Sequence, residues 1–181
     1  YIDKNIKNEF ISKVAEKLSE DYMDLGRIGK IVSKKQTEKL VSYLRDTKGD
    51  VLMGGKYDVE KRYFQPTIVD NVKWDDVLMK QELFGPIIPF LTFDKIEEVH
   101  QHVNKYTPKP LALYIFTKDK EKGSGLINSI QSGDAQINGV FVHAASPYFP
   151  FGGVGSSGIG EYHGKYSYEA FTHKKSIRIV E

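Results

Sequence analysis

Apolar positions recur along this 181-residue chain in two rhythms, and the changes of rhythm mark its elements. From Asp3 to Glu20, the residues Ile6, Phe10, Val14 and Leu18 return at every fourth position with Ile11 beside them, forming one face of an amphipathic helix. Gly26 and Gly29 interrupt it. Ser33, with Gln36 three residues later, reads as a capping box. It opens a second helix to about Arg45, with Leu40, Val41 and Leu44 as the buried stripe. Lys48-Gly49-Asp50 and Gly54-Gly55 bracket a short strand from Val51 to Met53. Tyr63 to Val69 reads as a strand broken by Pro66, at an edge or a bulge. Trp74 to Gln81 reads as a short helix and Ile87 to Phe93 as a strand. Asp94 is expected to cap a helix with Ile96, Val99 and Val103 inward. Leu111 to Thr117 is almost all apolar, the pattern of a strand buried on both faces. Asp119 caps a further helix with Leu126, Ile127 and Ile130 inward, and Ala135 to Asn138 is a short strand. Residues 139–165 form a long loop rich in Gly, Pro and aromatics, and Ser176 to Val180 alternates as a last strand.

Strands alternating with helices of ten to fifteen residues predict an α/β fold, a mostly parallel sheet flanked by helices. The length suits one domain and at most two. A loop of 27 residues is unusual in a compact domain and is often functional.

Composition narrows the function. The chain has 26 Lys and Arg against 24 Asp and Glu, a net charge of +2, which argues against nucleic acid or an anionic membrane as partner. With no cysteine, disulfides and thiolate metal sites are excluded, and a reducing compartment is expected, with a cytoplasmic location. No apolar run reaches bilayer length, so no membrane span is indicated, and no signal peptide opens the chain. The chain opens on Tyr1 rather than Met, so an excised piece of a longer polypeptide is expected.

Chemistry concentrates in two motifs. In Glu82-Leu83-Phe84-Gly85-Pro86, a carboxylate can accept two hydrogen bonds from a ribose diol, and an aromatic two residues on can press against a flat heterocycle. Gly-Pro ends the preceding helix and fixes the exit angle of the next strand. The plainer alternative is a helix end with a core Phe and a solvated Glu, and the residues alone leave both open. The second motif, Pro150 to Gly160, contains a literal G-x-G-x-x-G at Gly153, Gly155 and Gly158. The dinucleotide fingerprint is rejected there. It would have to follow a strand, open a helix and find an acid about 20 residues on. The glycines instead predict close approach to another backbone, a ring or a substrate tunnel. His100 and His102 do not share a helical face and read as surface residues. His143, His163 and His173 lie in or near the aromatic tail without zinc spacing. Asp75-Asp76 and Glu97-Glu98 read as solvated charges.

Glu82 to Pro86, followed about 65 residues later by Pro150-Phe151-Gly152-Gly153-Val154-Gly155, resembles the aldehyde dehydrogenase superfamily. The ending Gly158 to Ser167 is similar to the class 3 branch, which includes fatty aldehyde dehydrogenases, and Val154 stands where other branches place a Lys. Arg62 to Ile68 and Leu111 to Phe116 also resemble family strands, so the likeness runs along essentially the whole chain. It implies the C-terminal part of a catalytic domain over residues 1–170 and an oligomerisation tail over 171–181 that helps to form dimers. It also implies that Tyr1-Ile2-Asp3 continues the segment that follows the family's nucleophilic Cys.

The resemblance implies a reaction. A thiolate attacks an aldehyde, hydride passes to NAD or NADP, and the thioester is hydrolysed to a carboxylic acid. Glu82 would bind the nicotinamide ribose and Phe84 would limit the swing of the nicotinamide ring. Asn138, His143 and Phe151 would line the aldehyde site, with Gly139 standing where relatives commonly have Asp. These are positioning roles. Without the thiol, the piece alone is expected to be inactive. The competing reading is a non-catalytic binding or dimerisation module that kept the fold.

Overall fold

The computed structural model describes residues 1–22, 24 and 28–181, and divides them into two units, Tyr1–Ile96 and Glu97–Glu181. Gly26, expected to help break the first helix, lies outside the described residues.

The first unit opens on β1 (Ile2–Asp3) and α1 (Lys7–Asp21). Ile11, Val14 and Leu18 pack on a core of Ile2, Ile68 and Phe90, as their spacing predicts. Ile6 and Phe10 leave that stripe and are 53% and 43% exposed, because Ile6 precedes the helix and Phe10 meets only the edge of Phe90. In α2 (Lys34–Asp46), the buried residues are Thr37, Leu40 and Tyr43, while Val41 and Leu44 rest partly buried at the margin. The helix has rotated relative to the expected stripe. Its Thr37 hydroxyl is satisfied by the Ser33 carbonyl at 3.0 Å, so a threonine can take a core position.

Next come β2 (Asp50–Met53), β3 (Tyr57–Asp58), β4 (Tyr63–Phe64) and β5 (Thr67–Asp70). Pro66 separates β4 from β5 as the sequence predicts, but β5 is the central strand of its sheet rather than an edge, and the register shift falls in β2 between Val51 and Met53. β5 is buried throughout and lies between antiparallel β2 and parallel β6 (Ile87–Pro89). β7 (Thr92–Phe93) pairs parallel with β1. The link from β5 to β6 is not a helix over residues 74–81. It holds one 3₁₀ turn, Val77–Met79. Asp76 stops the turn from extending backwards: its own backbone is extended and its carboxylate accepts from the Leu78 N–H at 2.9 Å. The expectation that Asp76 is a solvated charge is therefore corrected. It is 4% exposed and also accepts from the Thr47 hydroxyl and the Lys48 N–H.

The second unit begins one residue into α3 (Ile96–Tyr106), which buries Val99 and Val103 but leaves Ile96, expected inward, exposed. β8 (Ala112–Ile115), α4 (Lys120–Ser129) and β9 (Asp134–Ile137) make a parallel crossover, with Tyr114 opposite Gln136. Asp119 caps α4 as expected, accepting from the Lys122 N–H at 3.0 Å, and Ile130 closes its inner side. β8 is half-buried along its length rather than buried on both faces, since β9 is its only strand neighbour among the described residues. The long loop is not structureless. It holds α5 (Val142–Ala145), a 3₁₀ turn (Gly155–Ser157) and the start of α6 (Gly164–Ala170). Ser176 to Val180, expected as a strand, pairs with nothing among the described residues, and Ile177, Ile179 and Val180 are exposed. A strand without a neighbour leaves its ladder groups to water. Among the described residues, no helix is long and apolar enough to cross a membrane.

Candidate functional site

The first motif sits on the crossover between two parallel neighbours, immediately before β6, and α2 is its bed. Gln36 lies in the first turn of α2. Its N–H donates to the Ser33 hydroxyl at 3.1 Å, which is half of the predicted capping box. The other half is missing. The Gln36 side chain turns away from the cap and donates to the Leu83 carbonyl at 2.7 Å and to the Phe84 carbonyl at 3.3 Å. One turn on, Leu40 packs against Gly85, where an added Cβ would lie 2.4 Å from a Leu40 methyl. Lys39 donates to the Gln81 side chain at 3.0 Å. The turn is thus tied to α2 at both ends.

Between those ties, Phe84 adopts a left-handed backbone, φ 48°, which a non-glycine residue holds only when its surroundings impose it. Its ring is not in the core. It is 73% exposed, and Glu82 beside it is exposed and has no ion pair or hydrogen bond among the described residues. The alternative of a core Phe at a helix end is therefore removed. A free carboxylate two residues from a presented ring fits a ribose diol joined to a flat heterocycle, the donor set of a nicotinamide nucleotide.

The second unit holds the other expected site residues. Asn138 follows β9 in a left-handed conformation, φ 56°, and clamps the backbone of Thr117, its Oδ1 accepting from the N–H and its Nδ2 donating to the carbonyl, both at 2.8 Å. Thr117 in turn accepts from the Asp119 N–H at 3.0 Å. The Lys122 N–H is the main group that holds the exposed Asp119 carboxyl below its ordinary range.

His143, on α5, is only 9% exposed. Its Nδ1 meets Gln136 Oε1 at 3.0 Å, its ring lies 5.5 Å from the Tyr114 ring, and its Nε2 stands 3.9 Å from Asp134 Oδ2. Asp134 and Gln136 share one face of β9, so strand alternation delivers both to the imidazole. His143 thus supports the loop from within. Beside it the segment presents apolar surface: Val140, Phe141, Val142, Tyr148 and Phe149 are all exposed.

Phe151 is bridged to Tyr162 through both backbone groups, at 2.9 and 3.0 Å, and its ring stacks on His163 at 5.7 Å. The glycines around it answer the question the sequence left open. At Gly153 a Cβ would lie 2.2 Å from the Ser157 carbonyl, so the close partner is the loop's own backbone. His100 is half-buried at the surface, where its Nε2 lies 2.9 Å from the Ser129 carbonyl.

Four partners were not foreseen in these roles: Gln36 beneath Phe84, Gln136 beneath His143, and Tyr162 with His163 around Phe151. The signal at Gln36 pointed to the helix cap, and Tyr162 and His163 were visible only as part of the Gly158 to Ser167 ending.

The family model described as the aldehyde dehydrogenase family matches residues 1–177. The chain belongs to the aldehyde dehydrogenase family. It is similar to the 4,4'-diaponeurosporen-aldehyde dehydrogenase of Staphylococcus aureus, 38% identical over 97% of this chain and 39% of that protein. It is similar to the dimeric NADP-preferring aldehyde dehydrogenase of Rattus norvegicus, 35% identical over 98% of this chain and 39% of that protein. Relatives named as family 3 members, from Dictyostelium discoideum and Arabidopsis thaliana, are among the others. In structure it is similar to the substrate-bound state of Staphylococcus aureus AldH, with a TM-score of 0.90 and 37% identity over 99% of this chain and 41% of that one. The chain therefore spans about two-fifths of the relatives it matches.

Proposed function

We propose that this chain is the coenzyme-contacting part of an NAD(P)-dependent aldehyde dehydrogenase that oxidises aldehydes to carboxylic acids through a cysteine thioester. The observation that carries this is the braced turn presenting an unpartnered Glu82 carboxylate and an exposed Phe84 ring. Glu82 accepts the two hydroxyl hydrogens of the nicotinamide ribose. Phe84 lies against the nicotinamide face and restricts its rotation. When bound, the coenzyme supplies the acceptor for hydride. The chain's contribution is placement, which lowers the entropic part of the barrier.

Placement within the class 3, fatty aldehyde-oxidising branch rests on the Gly158 to Ser167 ending, on Val154 and on the family 3 relatives. The exposed apolar run Val140-Phe141-Val142 with Tyr148 and Phe149 suits the alkyl chain of such a substrate. Phe151 lines the aldehyde site, held by Tyr162 and His163, while Asn138 and His143 keep the surrounding backbone in place. A dimer is supported by the apolar, unpaired tail.

The test uses the full-length protein. Saturated aldehydes of increasing length are offered with NAD and with NADP. Rising kcat/KM with chain length supports the fatty aldehyde assignment. A preference for short or charged aldehydes overturns it.

A further inference from the structure

Among the described residues, two exposed aromatic residues, Phe84 and Phe141, have a left-handed backbone, and at Phe84 the groups that impose it lie on a neighbouring helix. Phe84 holds φ 48° without a glycine's freedom and without burial of its own ring. Such a conformation persists only where neighbouring groups over-determine it. Those groups can be identified. Gln36 Nε2 lies within hydrogen-bonding range of the Leu83 carbonyl and the Phe84 carbonyl, one on each side of the Phe84 α-carbon. Two carbonyl oxygens facing the same amide require its nitrogen end there, because an oxygen would leave all three acceptors opposed. The helix that carries Gln36 is anchored, with Thr37 and Leu40 fully buried. The cap that Gln36 would ordinarily complete with its side chain is left to Ser33 alone.

We propose that Gln36 is a positioning residue for the coenzyme site: its side-chain amide sets the left-handed turn at Phe84 and so fixes where the Glu82 carboxylate and the Phe84 ring point. The proposal rests on the reading of Glu82 and Phe84 given above. Gln36 acts through the Leu83 and Phe84 carbonyls. Its donor function matters, and its bulk does not. Gln36→Glu keeps the shape and sets a carboxylate against two carbonyls, whereas Gln36→Ala merely vacates the space. A packing role makes the alanine variant the worse of the two. A donor role makes the glutamate variant the worse.

The experiment compares the full-length wild type with Gln36→Ala, Gln36→Glu and Glu82→Gln. It measures amide hydrogen exchange over residues 81–87 and titrates NAD and NADP binding directly. The expected result is faster exchange confined to that segment in both Gln36 variants, with melting temperature nearly unchanged. Coenzyme binding is expected to weaken by a factor of about 5 to 10 in Gln36→Ala, the value of one net hydrogen bond, and by more in Gln36→Glu. Unchanged exchange over 81–87, or a glutamate variant that binds as well as wild type, overturns the proposal. If Glu82→Gln weakens binding and neither Gln36 variant does, the positioning role falls and the coenzyme reading stands. If Glu82→Gln leaves binding untouched, the coenzyme reading falls and takes the positioning role with it.

Discussion

Asn138 closes a two-point clamp on Thr117, its amide replacing the next rung of the ladder between β8 and β9 at 2.8 Å on each side. The backbone at Asn138 is left-handed, a conformation that Asn tolerates better than most residues. The side chain therefore ends the strand pair and turns the chain toward α5.

Asn138→Ala loses both bonds and puts a residue that tolerates the left-handed region less well than Asn at φ 56°, so a loss of about 1–2 kcal/mol is expected. Asn138→Gly relieves the φ cost and should lose less. Chemical denaturation of the full-length protein orders the two. Equal losses would show that the backbone angle contributes nothing.

Gly85→Ala drives a methyl into Leu40 and is expected to cost about 1–3 kcal/mol by overpacking. Leu40 is fully buried, so Leu40→Ala alone should cost about 2–5 kcal/mol. Together the two changes should cost clearly less than their sum, because the cavity left by one accepts the methyl of the other. Additive losses would mean that Gly85 and Leu40 do not share that space.

Asp76 carries an acid dependence. Burial pushes its carboxyl up, but the Leu78 and Lys48 N–H groups and the Thr47 hydroxyl outweigh burial and hold it below the ordinary range. A carboxyl lowered by folding adds stability that is present above its unfolded value near about 4 and is lost as pH falls through the folded value. Asp76→Asn should therefore lower stability at pH 7 and flatten the fall of stability on the acid side. A variant whose acid limb matches wild type would contradict this.

How much of this could be read beforehand follows from where the information sits. The parallel crossover from β8 through α4 to β9 was legible because its period and its Asp119 cap are local properties. The broken strand at Pro66 was legible for the same reason. Asp76 was not, because burial of a charge depends on Thr47 and Lys48, which are distant in sequence. Gln36 looked like half of a capping box, and only the tertiary position of Leu83 shows that its side chain is used elsewhere. Glu82 and Phe84 were legible as a motif, yet their exposure, which separates a presented pair from a helix end, required the fold. The tail shows the opposite case. Alternation from Ser176 to Val180 describes a strand, but a strand needs a neighbour to become one.

That tail gives a further prediction. Ile177→Asp with Ile179→Asp should shift the full-length protein toward monomer in light scattering, since both side chains are exposed in this chain. An unchanged mass across concentrations would remove the tail from the interface.

The central claim is that Glu82 and Phe84 hold the nicotinamide end of the coenzyme. Calorimetric titration of NAD and NADP into full-length wild type and Glu82→Gln tests it most directly. Loss of a charged acceptor for two hydroxyls should weaken binding by about tenfold or more while the melting temperature of the free protein stays the same. Equal affinity in both proteins, with equal turnover of an aldehyde, would contradict the account.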